Sequence, residues 1–233
     1  MNAVDNVFAQ GKVLLVNKPL TWTSFNVVSK IRYLSKTKKV GHAGTLDPLA
    51  TGLLIVCTGK FTKKINEYMA QEKEYTGTIT LGAITPTYDL ESEPTDFKDI
   101  AHLTGQQLYE ATKVFTGDIL QTPPIHSAIK QGGKRVYEMA RKGQEVKLEP
   151  RPVTIKEFEL TGIDLPQVHF RVVCTTGTYI RSLANDFGAH LGVGGYLSAL
   201  CRTRIGNFHV ADAQTIEELE VSIPAERAAQ QPS

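Results

Sequence analysis

Two stretches of alternating apolar residues, 153–160 and 168–174, constrain the fold of this chain more than any other pattern. Successive side chains of a strand point to opposite faces, so a period of two predicts strands with one buried face. The two stretches flank a turn near residues 164–166 and therefore predict an antiparallel pair. Further strand candidates are residues 12–17, 53–58, 75–81 and 196–204.

Helical patterns lie between these strands. Residues 179–191 place apolar side chains on one helix face, and Thr23 or Ser24, and later Thr104, stand where helix N-caps are expected. The mixture predicts an α+β protein with a mixed, largely antiparallel sheet and flanking helices. With 233 residues and 41% hydrophobic content, the chain is long enough for one stable domain over residues 1–233.

The composition argues against several classes of protein. Cys57, Cys174 and Cys201 are far apart and lack CxxC spacing, which disfavours a disulfide framework or a structural zinc site. The longest apolar runs are too short to span a bilayer, and the N-terminus has no secretory signal pattern. We therefore predict a soluble, cytoplasmic protein.

The net charge of +2 conceals an uneven distribution of charged residues. Residues 89–99 and 217–226 are acidic, whereas basic residues gather in three groups. Such segregation can give a nearly neutral protein one positive face suited to phosphates. Solvated helix faces explain the same pattern equally well. The three groups are Lys30, Arg32, Lys36, Lys38 and Lys39; Lys60, Lys63 and Lys64; and Lys130, Lys134, Arg135, Arg141 and Lys142.

The most unusual segment is residues 41–52, which read GHAGTLDPLATG. Three glycines and one proline in twelve residues predict a backbone bent into a special shape, as functional loops often are. The segment does not fit the phosphate-binding P-loop pattern. His42 and Asp47 alone make a poor metal site, so we expect no metal. A turn-forming aspartate before Pro48 is the alternative explanation of Asp47.

Arg181 and two tyrosines are further candidates. Arg181 falls in the first turn of its predicted helix, where the helix dipole disfavours a cation and a buried carboxylate would compensate. Such a partner would itself stay ionised at neutral pH. A surface bridge to Asp186 or a solvated Arg181 is the alternative. Tyr75 and Tyr179 stand beside loops and could stack on a nucleobase, or could be ordinary core tyrosines.

Together these segments resemble the TruB family of bacterial tRNA pseudouridine-55 synthases. The matching stretches occur in the family's order, cover most of residues 12–210, and include the highly specific GHAGTLDPLATG element. The other stretches are NKP with TS at 17–24, KEYTGTITLG at 73–82, TYDLE at 87–91, QTPPIHSAIKQGGKRVYEMAR at 121–141, TGTYIRSLANDFG at 176–188 and LSALCRTRIG at 197–206.

The resemblance implies a sheet of the pseudouridine synthase type with a cleft across its middle. It also implies an enzyme that isomerises uridine 55 in the T-loop of tRNA. By resemblance Asp47 is the nucleophile, Arg181 is its ion-pair partner, and Tyr75 stacks on the target base.

The resemblance assigns roles to four further residues and one segment. Tyr179 and Leu200 would complete the base pocket, and His42 would push into the T-loop to fill the gap left by flipped bases. Lys18 would support the catalytic loop from a neighbouring strand. Residues 121–152 would form a thumb-like insertion that closes over the RNA.

The expected chemistry agrees with these residues. Isomerising uridine to pseudouridine breaks an N-glycosidic bond and rejoins the base through carbon, with no oxidation, so no cofactor is expected. Glycoside hydrolysis usually needs two carboxylates, whereas this loop offers one. The uridine must leave its stack to react, which RNA loops permit. We expect tRNA as the partner, no membrane, no obligate protein partner, and a monomer.

The chain departs from the family pattern at three places. Thr21 stands where the family usually has glycine, so the turn there could differ. Ala43 replaces a common threonine. Only 23 residues follow Val210, which predicts one helix around residues 216–219, a loose tail, and no PUA-like RNA-binding domain at the C-terminus.

Two other functions fit the same residues. A protein whose main task is to bind and refold tRNA, and not catalysis, would use the basic groups and the thumb-like insertion. A nucleoside hydrolase would release free uracil, whereas an isomerase would release none.

Overall fold

A computed structural model describes residues 6–125 and 148–229 and, between them, only the backbone of residues 130–131 and 134–135. The chain forms two compact units. The first contains the described residues up to Tyr75 and from Leu200 onward, and the second contains residues 76–199. The single-domain prediction is not decided by this division and stays a prediction.

The described α-helices and strands follow the chain in mixed order. The helices are α1 (Val7–Gln10), α2 (Ser24–Ser35), α3 (Ile65–Met69), α4 (Gly105–Val114), α5 (Ile180–His190) and α6 (Ile216–Ala228), with 3-10 turns at Gly59–Lys64 and Val210–Asp212. The strands are β1 (Val13–Lys18), β2 (Val40–His42), β3 (Ala50–Thr58), β4 (Lys73–Leu81), β5 (Gly117–Gln121), β6 (Lys130–Gln131), β7 (Lys134–Arg135), β8 (Arg151–Asp164), β9 (Gln167–Cys174), β10 (Gly195–Ile205) and β11 (Phe208–His209).

Strand β3 organises the first unit. It pairs antiparallel with β1 and β2 and parallel with β10. Leu54 and Val56 enter one apolar cluster, while the alternate residues Leu53, Ile55 and Cys57 enter another. Both faces of β3 are therefore covered, which explains why its sequence is a continuous apolar run and not an alternating one.

Helices α2 and α6 cover one face of β1 and β3. Thr23 caps α2 through a capping box with Asn26, which decides between the two cap residues that the sequence had left open. Ile216, Leu219 and Ile223 of α6 pack into the same cluster as the apolar face of α2. Helix α6 runs to Ala228, so the predicted helix around residues 216–219 is confirmed, whereas the expectation of a loose tail directly after it is wrong.

Contacts between side chains and distant segments hold the end of α6. Glu226 forms an ion pair with Lys12, Glu220 forms one with Lys30, and Arg227 Nη1 donates to the carbonyl of Leu34 at 3.0 Å. These contacts favour a helix that continues to Ala228. Helix propensity alone would not predict it, because Pro224 lies inside the helix.

The second unit is built on the predicted antiparallel pair. Strands β8 and β9 pair along most of their lengths, with β5 on the other edge of β8 and the later residues of β4 beside β9. The rings of Phe158, Phe170 and Phe187 pack edge to face beneath this sheet. Helix α4 begins at the predicted cap Thr104 and packs against β8. The mixed, largely antiparallel α+β prediction is confirmed.

The thumb-like insertion predicted at residues 121–152 is described only in part. Strands β6 and β7 form a short antiparallel pair, with Lys130 opposite Arg135. Arg141 and Lys142 of the third basic group lie outside the described residues. Across residues 6–125 and 148–229, no helix is both long and apolar enough to cross a membrane.

Candidate active site

The loop that carries Asp47 connects β2 to β3 in the first unit. It begins after His42, where the buried Ala43 donates its N–H to the carbonyl of Ile55 at 2.9 Å. It ends at Ala50, whose N–H donates to the carbonyl of Asp47 at 3.1 Å. Asp47 itself is half-buried. Both ends of the loop are therefore tied to strand β3.

Gly52 explains why the loop sequence needs a glycine at its end. Its φ is +100°, and a Cβ there would lie 2.4 Å from the carbonyl oxygen of Arg202 and 2.8 Å from Sγ of Cys201. Only glycine allows β3 and β10 to approach this closely with that backbone conformation. The parallel pairing of Ala50 with Leu200 follows from this close approach.

Hydrogen bonds fix the backbone on both sides of Asp47. The buried hydroxyl of Ser24 accepts from the N–H of Leu46 at 2.9 Å and donates to the Leu46 carbonyl at 3.2 Å. The carbonyl of Pro48 accepts from the N–H of Thr21 at 2.8 Å. The two residues adjoining Asp47 are therefore held by the start of α2 and by the turn before it.

Lys18 reaches the same loop from β1. Its side chain is fully buried, and Nζ donates to the carbonyls of Pro19 at 3.0 Å, Trp22 at 2.6 Å and Pro48 at 3.3 Å. Burial lowers the pKa of Lys18 to about 8, the charge of Asp47 opposes this shift, and Arg202 adds to it. Lys18 thus joins the turn at Pro19–Trp22 to the loop and interacts electrostatically with Asp47.

Thr21, where the family usually has glycine, keeps a glycine-like backbone. Its φ is 67°, in the left-handed region that a β-branched residue rarely adopts. The side chain is exposed, so nothing in the first unit crowds it. The turn thus holds a threonine in a conformation that glycine adopts without strain, and backbone strain is the cost.

Three other predicted residues lie in the first unit. Leu200 is half-buried on β10, where its carbonyl accepts from Thr51 Oγ1 at 3.3 Å. Tyr75 is buried on β4 with 8% exposure. His42 pairs with Val56 and is half-buried. Burial lowers the pKa of His42, and the charge of Arg202 acts in the same direction. Their contacts with RNA stay predictions.

The second unit carries Arg181 and Tyr179. Arg181 is buried at the start of α5, with Nη1 3.5 Å from Oδ2 of Asp89 and 3.2 Å from the carbonyl oxygen of Thr87. The alternatives of a bridge to Asp186 or a solvated side chain are therefore wrong. The predicted ion pair with Asp47 stays a prediction, since Asp47 belongs to the other unit.

Tyr179 is anchored through its backbone. Its N–H donates to Oε1 of Gln121 at 2.7 Å, and its carbonyl accepts from Nε2 of the same amide at 3.1 Å. The buried Gln121 thus holds the residue that precedes α5 by both backbone groups. The neighbouring Ser182 donates to the carbonyl of Thr122 at 2.8 Å. The start of α5 is tied in this way to the chain that leads into the predicted thumb.

The sequence did not single out Asp89, Ser24 or Arg202 as site residues. Asp89 lies in the TYDLE stretch and Arg202 in the LSALCRTRIG stretch, both of which match the family. Ser24 carried no signal beyond its place beside a helix cap. In the part of the chain that the structure describes, no group of three or more His, Cys, Asp or Glu residues could hold a metal ion.

Two protein-family models match the sequence of this chain. Residues 32–180 match the TruB family pseudouridylate synthase (N terminal domain), and residues 181–231 match the tRNA pseudouridylate synthase B C-terminal domain. The chain belongs to the TruB family. The resemblance stated from the sequence is thereby confirmed, whereas the predicted absence of a PUA-like domain stays a prediction.

Several bacterial TruB family members named tRNA pseudouridine synthase B are similar over nearly their whole length. The protein of Flavobacterium johnsoniae is 52% identical, covering 93% of this chain and 97% of its own. That of Chloroherpeton thalassium is 49% identical, covering 94% and 93%. That of Parabacteroides distasonis is 50% identical, covering 91% and 93%.

Two solved structures share the fold of this TruB family member. One is the crystal structure of a Cbf5-Nop10-Gar1 complex, with a TM-score of 0.72 and 30% identity over 91% of this chain. The other is an H/ACA RNP bound to a substrate RNA containing 2′-deoxyuridine, with a TM-score of 0.72 and 26% identity over 97%. The chain spans 54% and 58% of the matched chains in those structures.

Proposed function

We propose that this TruB family protein is a tRNA pseudouridine synthase that isomerises uridine 55 in the T-loop to pseudouridine, with Asp47 as its nucleophile. The observation that carries the proposal is the placement of Asp47. Its backbone neighbours are held by Ser24 and Lys18, and the loop has the family's specific sequence. A carboxylate so positioned suits a reaction that depends on the orientation of one nucleophile.

The reaction needs only rearrangement within the substrate. The bond from C1′ of the ribose to N1 of uracil breaks, and a bond from C1′ to C5 forms. The proton on C5 is lost, and N1 gains one, so atoms and electrons balance without a cofactor. Asp47 supplies the nucleophile, by attack on either the sugar or the base ring. The resemblance gives Arg181 the role of its ion-pair partner, and such a cation would favour the ionised form of Asp47.

Substrate binding is assigned to the remaining predicted residues. The uridine leaves its stack, Tyr75 stacks on the flipped base, and Tyr179 and Leu200 complete the pocket. His42 fills the space left in the T-loop. The protein acts alone on tRNA, as a monomer in the cytoplasm, with the segment at residues 121–152 closing over the RNA.

Replacing Asp47 by asparagine tests the proposal. The substrate is a T-arm stem-loop whose uridines carry tritium at C5, because forming the C1′–C5 bond releases tritium to water. We expect Asp47→Asn to abolish release while tRNA binding persists, and Asp212→Asn, an exposed aspartate of the same unit, to leave both unchanged. Undiminished release by Asp47→Asn would overturn the assignment. Free uracil in the products would indicate a hydrolase.

Binding and refolding of tRNA is the second candidate function, and one observation favours it. The N–H of Gly59 donates to the carbonyl of Lys39 at 2.8 Å, so two of the basic groups meet on the first unit. Tight tRNA binding that weakens steeply with salt would support phosphate contacts. Refolding assistance that survives in Asp47→Asn would separate this function from catalysis. The exposed residues of this group are Lys36, Lys38, Lys39, Lys60, Lys63 and Lys64.

A further inference from the structure

Arg202 joins the start of the Asp47 loop to strand β3, which follows the loop. It lies on β10, is 2% exposed, and extends its guanidinium toward the segment that leads into β3. Nη2 donates to the carbonyl of Gly44 at 3.1 Å, and Nε donates to the carbonyl of Leu53 at 2.8 Å. These two carbonyls stand on either side of Asp47 in the chain, so one side chain spans the loop.

Within the described part of the chain, the charge of Arg202 lacks a carboxylate partner. Among residues 6–125 and 148–229, no aspartate or glutamate lies within ion-pair distance of its guanidinium. Burying a cation with only carbonyl acceptors is costly, and a neutral side chain would pack there at less cost. A buried arginine at this place is explained if the protein needs both its charge and its ability to donate two hydrogen bonds at once.

The surroundings of Arg202 indicate that use. Its positive charge contributes to lowering the pKa of Lys18 on β1 and the pKa of His42 on β2. A Cβ added at Gly44 would lie 3.6 Å from Nη1, so the loop backbone passes close to the guanidinium. Arg202 therefore acts on the loop in two ways, through two hydrogen bonds and through a fixed positive field.

We propose that Arg202 is a positioning residue for Asp47: its guanidinium clamps the start of the loop, at Gly44, to strand β3, at Leu53, and its charge favours the ionised carboxylate. This inference rests on the proposed function, because Asp47 is the group that it positions. Arg202 does not need to touch the substrate. Its effect is on the rate of the chemical step and not on the affinity for tRNA.

Two substitutions separate the clamp from the charge. Arg202→Lys keeps the charge but cannot donate to both carbonyls, whereas Arg202→Met removes charge and clamp together. We expect the single-turnover rate to fall about tenfold or more in both variants, since small misplacements of a nucleophile are costly. The dissociation constant for tRNA should stay within about threefold. The acid limb of the pH–rate profile should move to higher pH only in Arg202→Met.

Arg204→Met is the matched control. Arg204 lies two residues further along β10 and also makes partly buried polar contacts, with Glu72 Oε1 at 2.8 Å and the carbonyl of Gly206 at 2.9 Å. Its loss should lower the melting temperature without changing the rate at a temperature where the protein is folded. Equal losses of rate in Arg204→Met and Arg202→Lys would mean that both act through stability alone, and would overturn the inference.

Hydrogen exchange gives a readout that does not depend on activity. The N–H of Leu46 donates to Ser24 Oγ, and that of Ala50 donates to the carbonyl of Asp47. Both amides should exchange faster in Arg202→Lys than in Arg204→Met. Unchanged protection together with wild-type turnover in Arg202→Lys would overturn the positioning role. If the wild-type protein forms no pseudouridine while Arg202→Lys still loses this protection, the proposed function is overturned and the clamp is left intact.

Discussion

Arg181 and Asp89 form a buried ion pair, with 3.5 Å between Nη1 and Oδ2 and with each side chain only 5% exposed. Arg181 stands in the first turn of α5, where the positive end of the helix dipole opposes a cation. The carboxylate of Asp89 offsets this cost. The sequence predicted a buried carboxylate beside Arg181 without identifying Asp89, and the ion pair with Asp47 that the resemblance implies stays a prediction.

The first prediction concerns this ion pair. Asp89→Asn leaves the charge of Arg181 buried with one fewer acceptor, and we expect the free energy of unfolding to fall by about 3 kcal/mol. Asp99→Asn is the control, because both carboxylates accept the N–H two residues on at 3.0 Å, but Asp99 is exposed. Urea titrations should show a change below about 0.5 kcal/mol for Asp99→Asn. Equal stability of the two variants would contradict the account.

The second prediction concerns Ser24. In Ser24→Ala the N–H and carbonyl of Leu46 lose their partner in a buried place, which should cost about 1–3 kcal/mol of stability. The rate of pseudouridine formation should fall as well, because Leu46 adjoins Asp47. Thr23→Ala removes the helix cap beside it and should cost about 1 kcal/mol with no change in rate. A rate that falls equally in both variants would remove the special role of Ser24.

The third prediction concerns Thr21. Because Thr21 has a φ of 67°, Thr21→Gly should relieve backbone strain and raise the free energy of unfolding by about 0.5–1 kcal/mol, net of the added entropy of the unfolded chain. Thr21→Ala keeps the strained conformation and should bring no gain. Chemical denaturation of the three proteins checks this. A stabilised alanine variant would show that the side chain, and not φ, is the source of the strain.

The fourth prediction concerns the pH dependence of Lys18. Its pKa is about 8 in the folded chain and near its ordinary value of 10.5 when unfolded. The folded chain therefore releases this proton first, so the contribution of Lys18 to the free energy of unfolding rises with pH between about 8 and 10.5. Once it has lost this proton, the amine of Lys18 should bind the carbonyl of Pro48 less well and hold the loop less firmly. Turnover should therefore decline above pH 8.

Lys18→Met tests both effects. Its free energy of unfolding should lack the rise with pH that wild-type protein shows, and its reduced turnover should lack the alkaline decline. Measurements of both proteins from pH 6.5 to about 10 in the same buffers give the comparison, since no other group near the loop is removed. An alkaline decline that persists unchanged in Lys18→Met would assign it to another group.

The amino-acid sequence alone determined the local elements and the family of this protein. The cap at Thr104, the apolar face of α5 and the hairpin of β8 and β9 were all predicted, because caps and periodicity depend on residues only a few positions apart. The loop around Asp47 was recognisable because its glycines and proline record an unusual backbone.

Only the tertiary structure decided which distant groups meet. The partners of Arg181 and Arg202 lie 92 to 158 positions away in the chain, so they depend on strand register and loop path, which no local pattern encodes. The full length of α6 likewise depends on contacts with α2 and with Lys12. A hydrogen bond or ion pair gains its strength from burial and geometry, and both exist only once the whole chain has folded.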